Sequence, residues 1–201
     1  MNTVEIKSAV RVCGEITEEP AFSHEIFGES FFTITVRVRR LSGNADDIPV
    51  QVSDRLTNIE ELVSGRKVQI TGSYRSYNKH NENGSNNLIL FLFADEITDV
   101  PEEEEDANEV ILEGFICKPP VYRKTPLGRE ISDLLIAVNR AYGKSDYIPC
   151  IAWGRNASYA GGLEVGSRLK CEGRIQSRIY LKDNEERTAY EVSLTSIRLL
   201  D

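Results

Sequence analysis

The chain is predicted to be all-β, two five-stranded barrels in tandem, each with a short helix between its third and fourth strands. Three observations predict this. The two halves repeat at an offset of about one hundred positions, apolar and polar residues alternate through most segments, and a single helix-like stretch falls in the middle of each half. The repeat is visible residue by residue. Gly14-Glu15-Ile16 faces Gly114-Phe115-Ile116, Gly28 faces Gly128, and Val36-x-Val38-x-Arg40 faces Ile136-x-Val138-x-Arg140. Ile48-Pro49 faces Ile148-Pro149 and, one position further out of step, Val68-x-Ile70-x-Gly72 faces Leu169-x-Cys171-x-Gly173.

In the first half, the alternation Phe32-Ile34-Val36-Val38 predicts a strand with one buried face, and Ser42-Gly43-Asn44 the turn that ends it. Arg55–Val63, closed by Gly65, is the predicted helix, the glycine suiting a left-handed cap. In the second half Leu134-Ile136-Val138 is the matching strand, Tyr142-Gly143-Lys144 the matching turn, and Asn156–Leu163, closed by Gly166, the matching helix. Three strands, a helix and two strands form the oligonucleotide/oligosaccharide-binding (OB) architecture, whose second and third strands and long loops make the usual ligand face. Between the halves runs Pro101-Glu-Glu-Glu-Glu-Asp106, a block of like charge that repels itself and is expected to be a solvated linker. The expected domains are 1–100, a linker at 101–108, and 109–201.

Composition limits the function classes. With 201 residues, 40% hydrophobic and 28% charged, the chain can bury cores without staples. Its longest apolar runs, such as 88–94 and 133–138, fall short of the ~18–20 residues of a membrane span. The first residues lack the order of a signal peptide, so a cytoplasmic location and no membrane partner are expected. Cys13, Cys117, Cys150 and Cys171 show no metal-ligand spacing and are expected to be reduced and mostly buried. No HExxH, Gly-rich loop or nucleophile–base pair is present, so no catalytic residue, metal or cofactor is assigned.

Charge is unevenly spread. Residues 1–100 hold ten Lys and Arg against fifteen Asp and Glu, 101–108 hold five acids alone, and 109–201 hold fourteen bases against twelve acids. Only the last segment is net positive, at +2, as partnership with phosphates requires. There basic residues interleave with aromatics: Arg140-Ala-Tyr142-Gly-Lys144, then Tyr147, Trp153-Gly-Arg155, and Arg174 through Arg178 and Tyr180 to Lys182. Unpaired bases stack on aromatic rings at about 1–3 kcal/mol each while cations neutralise the phosphates. The expected stacking residues are therefore Tyr142, Tyr147, Trp153 and Tyr180, and the expected phosphate contacts Arg123, Lys124, Arg140, Lys144, Arg155, Arg174, Arg178 and Lys182. For Tyr147 and Trp153, burial in the core is the competing reading.

The second half resembles the bacterial single-stranded DNA-binding (SSB) family. Val110–Gly114 is similar to that family's opening strand, PPVYRKTPLG (119–128) to its next turn, Leu135–Arg140 to its second strand, Tyr147–Arg155 to its third, and Val165–Arg178 to its fourth. The resemblance implies a binder of single-stranded DNA acting in replication, recombination or repair, and base-stacking rings at the four aromatic positions named above. It implies a homodimer bringing four OB folds together, with replication and repair proteins as further partners. Two departures stand out. The sequence ends at Ile197-Arg-Leu-Leu-Asp201 without the family's acidic tail. At the repeat-matched positions the first half carries Ser42, Asp47 and Ser53 in place of the rings, so it is expected to be structural and oligomerising, with Arg37, Arg39, Arg40, Arg75, Tyr77 and Lys79 forming at most a reduced site. Alternatives are an OB protein resembling primosomal replication protein N, and an OB module that binds only proteins.

Overall fold

The computed structural model describes residues 7–80, 84, 86–182 and 184–200, the side chains of Lys182 and Glu185 excepted. The first half contains β1 (Ser8–Ile16), β2 (Ala21–Ile26), β3 (Glu29–Arg39), β4 (Ala45–Ser53), β5 (Lys67–His80) and β6 (Asn86–Asp99). The second contains β7 (Ala107–Ile116), β8 (Val121–Lys124), β9 (Glu130–Asn139), β10 (Ser145–Trp153), helix α1 (Arg155–Ala160), β11 (Arg168–Lys182) and β12 (Glu185–Leu200).

Each half closes five of its strands into a barrel and hangs the sixth on its rim. In the second half the order runs β7-β11-β12-β10-β9, and β9 returns to β7 through Phe115↔Ala137 and Ile116↔Ile136. The first half closes in the same way, β1 meeting β3 at Glu15↔Arg37. β2 and β8 lie outside the closure as antiparallel extensions of β3 and β9. Closing a strand on two neighbours brings backbones too near for side chains, which explains the repeated glycines. A Cβ on Gly114 would lie 2.5 Å from the Ala137 carbonyl oxygen, and one on Gly173 would press on the carbonyl of Ser193. Gly14 and Gly72 meet Arg37 and Phe93 in the same manner.

Alternation decides which face is core. Along β9 and β10, Leu134, Ile136, Val138, Ile148, Cys150 and Ala152 point inward against Leu112, Leu169, Cys171, Ile175 and Val192. In the first barrel Ile34, Val36, Val38, Ile48, Val50 and Val52 play the same part, with Tyr74 buried among them. Each such aliphatic chain contributes about 1.5–3 kcal/mol by leaving water.

One expectation is corrected. The helix expected at Arg55–Val63 is a single 3₁₀ turn, Ile59–Glu61, whose N-cap Asn58 accepts from the Glu60 N–H at 3.2 Å. Only Leu62 of this stretch reaches the core, so a longer helix would have no buried stripe to hold it. In the second half α1 begins at Arg155 and ends at Ala160, its small residues Ala157 and Ala160 fitting against the sheet. In the acidic run residues 102–105 are exposed, while the last acid is held. Asp106 accepts from the Arg39 N–H at 2.7 Å and pairs with Lys67 at 2.8 Å, and the Lys67 ammonium also donates to the carbonyls of Glu102 and Glu104.

The compact units do not coincide with the two halves of the sequence. One comprises Val10–Arg75 and Leu90–Glu109. The other joins the N-terminal segment up to Ala9 and Ser76–Ile89, the distal part of the β5–β6 hairpin, to Val110–Asp201.

Candidate nucleic-acid interface

The expected stacking residues lie on β10 and at the hairpin ends beside it. Tyr147 and Trp153 are offset by an even number of positions, six, on a strand paired without a bulge to β9, from Ser145↔Asn139 to Trp153↔Ile131. They therefore point to the same side, and that side is outward: Tyr147 is 43% exposed and Trp153 38%. The core reading of these two rings is thus excluded. Six residues of extended chain separate them by about 20 Å. Tyr142 is 99% exposed in the β9–β10 turn and holds a left-handed backbone, φ 60°, rare for a bulky residue. The Arg140 N–H closes that turn on the Lys144 carbonyl at 2.7 Å. Tyr180 stands 38% exposed near the far end of β11, opposite Arg187, and the Arg178 guanidinium lies 6.0 Å from its ring centre.

The cations divide into two groups. Lys144 and Arg155 are exposed and have no ion-pair partner among the described residues. Most of the others already face carboxylates. Arg123 donates to Asp133 at 2.7 and 3.0 Å, Lys124 stands 3.6 Å from Glu130, and Arg140 stands 2.9 Å from the buried Asp146. Arg178 lies 3.8 Å from Glu191, while Arg174 donates to Gln176, which donates in turn to Glu191. Burial raises the Glu191 carboxyl above its ordinary value, with Asp133 adding to the rise and Arg178 and Arg123 opposing it. Glu130 moves the other way, lowered by hydrogen bonds from the hydroxyls of Tyr122 and Ser158 and by Lys124. The side chain of Lys182 lies outside the described residues.

Sequence reasoning missed several groups. Tyr122 and Tyr159 are exposed rings of the second unit, and Arg187 became a neighbour of Tyr180 only through cross-strand register. In the first barrel Ser53 is turned into a hydrogen bond with Glu29, and Asp47 is held by Arg37 at 2.7 and 2.8 Å. Rings are nevertheless present there, at unmatched positions. His24 stacks on Phe31 with centroids 4.9 Å apart, Phe31 tilts against Phe93 at 6.0 Å, and the Arg75 guanidinium covers Phe93 at 3.7 Å. His24 and Phe31 thus cover one another's faces, and Arg75 covers a face of Phe93.

The four cysteines are free, with Cys13, Cys150 and Cys171 buried and Cys117 partly so. Burial pushes the Cys171 thiol up to about 12 and raises Cys150 further from reactivity. Among the described residues no three His, Cys, Asp or Glu side chains gather as metal ligands, and no helix is long and apolar enough to cross a membrane.

The single-strand binding protein family matches residues 107–200. The single-stranded DNA-binding protein of Halalkalibacterium halodurans is 34% identical over 103 residues, covering 47% of this chain and 61% of that protein. Single-stranded DNA-binding protein A of Bacillus subtilis is 33% identical over 102 residues, covering 47% and 59%. The chain therefore spans less than two thirds of the length of either relative. Both halves are matched in fold by the crystal structure of wild-type single-stranded DNA binding protein from Thermus aquaticus, with a TM-score of 0.77 and 21% identity over 96% of this chain and 93% of that one. Two tandem OB barrels are thus a fold shared with that protein, and the second of them, residues 107–200, is the part of this chain that is similar to the single-strand binding protein family.

Proposed function

We propose that the chain is a non-enzymatic single-stranded DNA-binding protein of the cytoplasm that coats exposed strands during replication, recombination or repair. The observation that carries this reading is the shared outward direction of Tyr147 and Trp153 on one strand, with Lys144 and Arg155, unpaired among the described residues, close to them along the chain. A duplex hides the faces of its bases, whereas a single strand offers each face to a ring and its phosphates to the cations between. Tyr142 and Tyr180 extend the row of rings at the two hairpin ends. The names of the Halalkalibacterium and Bacillus relatives state the same ligand. A homodimer bringing four barrels together completes the proposal, and replication and repair proteins are its proposed further partners.

Trp153 is the only tryptophan, so it reports directly. Titration with oligo(dT) is expected to quench its fluorescence, and Tyr180→Ala to weaken binding by about 1–3 kcal/mol, the value of one base–ring stack. An unchanged emission together with no mobility shift would overturn the assignment.

A further inference from the structure

We propose that Ser76, on the distal part of β5, is a positioning residue for the stacking side chains of the second barrel, a role that rests on the single-strand reading above. Ser76 lies seventy-one positions before Tyr147 yet within the same compact unit, and it is buried. It makes two bonds there. Its hydroxyl oxygen accepts from the Tyr147 N–H at 2.7 Å, and its own N–H donates to Oδ1 of Asp146 at 2.7 Å.

The geometry explains why this contact matters at this point of β10. Tyr147 has β9 on one side, opposite Ala137, whereas the parallel pairing with β12 falls at Cys150↔Val192 and Ile151↔Ser193. The N–H of Tyr147 thus bonds a side chain in place of a neighbouring strand, and removing that acceptor leaves a partly buried donor unsatisfied. Asp146, 2% exposed, carries the effect further. While Oδ1 holds Ser76, Oδ2 faces the Arg140 Nε at 2.9 Å, and Arg140 closes the turn that carries Tyr142. One hairpin therefore grips the chain immediately before Tyr147 and, through Asp146 and Arg140, the base of the Tyr142 turn.

The Arg–Asp part is a property of the fold. The first barrel repeats it as Arg40 and Asp46, with Arg40 closing its turn on Asn44. That turn carries Ser42 in place of a ring, so locking the turn does not require a ligand. What bears on the stacking row is the Ser76 hydroxyl on the amide of the exposed Tyr147.

The test compares wild type, Ser76→Ala, Ser76→Thr, Tyr147→Ala and the Ser76→Ala/Tyr147→Ala double variant in the full chain. Each is titrated with oligo(dT) by Trp153 quenching, and hydrogen exchange at the Tyr147 amide is followed without DNA. Ser76→Ala is expected to weaken binding roughly fivefold to tenfold, about the worth of one hydrogen bond, and to speed exchange at that amide. Threonine keeps the hydroxyl and is expected to restore both. In the Tyr147→Ala background the serine change is expected to add nothing, because only the ring it positions is lost. A full additional loss in that background, or unaltered affinity in Ser76→Ala, overturns the positioning role. Absence of quenching in wild type sinks the single-strand reading, whereas unaltered amide exchange in Ser76→Ala sinks the clamp itself.

Discussion

Glu191 is a buried acid on the side of β12 that faces Gln176 and Arg178, and its environment sets a pH signature. Desolvation outweighs the nearby guanidinium groups, so the folded-state carboxyl titrates above the ordinary 4.5. An acid with a raised folded value favours the fold when protonated. Its contribution is full below 4.5 and is lost as pH climbs through the raised value. Glu130 and Glu109, held low mainly by hydrogen bonds, act in the opposite sense and lose their contribution as pH falls. Subtracting wild type from Glu191→Gln isolates the first effect. In urea unfolding, the variant is expected to lack the decline just above pH 4.5 that Glu191 imposes, and parallel curves would show that the carboxyl is not desolvated. Little of this was legible in the sequence. Arg123, Arg140 and Arg178 stand out there as phosphate contacts, but which carboxylate each one faces depends on register and on which side of a strand it leaves. Two of the four rings, Tyr142 and Tyr180, sit beside turn residues that already argue for exposure. For Tyr147 and Trp153 only the bulge-free pairing with β9 decides the matter.

At the scale of the element, the strands and α1 were legible, and the length of the first half's helical stretch was not, for a physical reason. A half-buried strand writes its alternation into every second residue, as Leu134-Ile136-Val138 does, whereas one helical turn leaves too few positions to show a period. Asn58 capping a 3₁₀ turn is a local solution that the pattern 55–63 does not separate from a true helix, whereas α1 keeps Ala157 and Ala160 against the sheet. The repeated glycines were legible as repeats, and the structure supplies their reason at the closure of β7 onto β9. Gly114→Ala places a methyl 2.5 Å from a backbone oxygen that cannot move without opening the barrel. Thermal unfolding is expected to show a loss of about 1–3 kcal/mol or more, the range for overpacking. A variant as stable as wild type would mean that β7 and β9 part more easily than their pairing suggests.

For the whole molecule, net charge is a poor guide and free charge a better one. The chain carries −8, and most cations proposed to meet phosphate are already engaged, leaving Lys144 and Arg155 unpaired among the described residues. Each phosphate neutralised on a single strand adds about −0.7 to the slope of log affinity against log salt, so a shallow slope of roughly −1 to −3 is expected for oligo(dT). A slope of about −6 or steeper would mean that Arg123, Arg140 and Arg178 leave their carboxylates when DNA arrives. The tandem duplication was plain from the offset of one hundred, and so was the charge contrast between the halves. The sharing of Ser76–Ile89 with the second unit was not, because nothing in the composition of a hairpin says which barrel will keep it. That exchange makes the two halves a single heritable part. Anyone splitting the gene at the acidic run, permuting the chain, or grafting the second half onto another carrier must bring residues 76–89 along, or the transplanted barrel arrives with a piece of itself left behind.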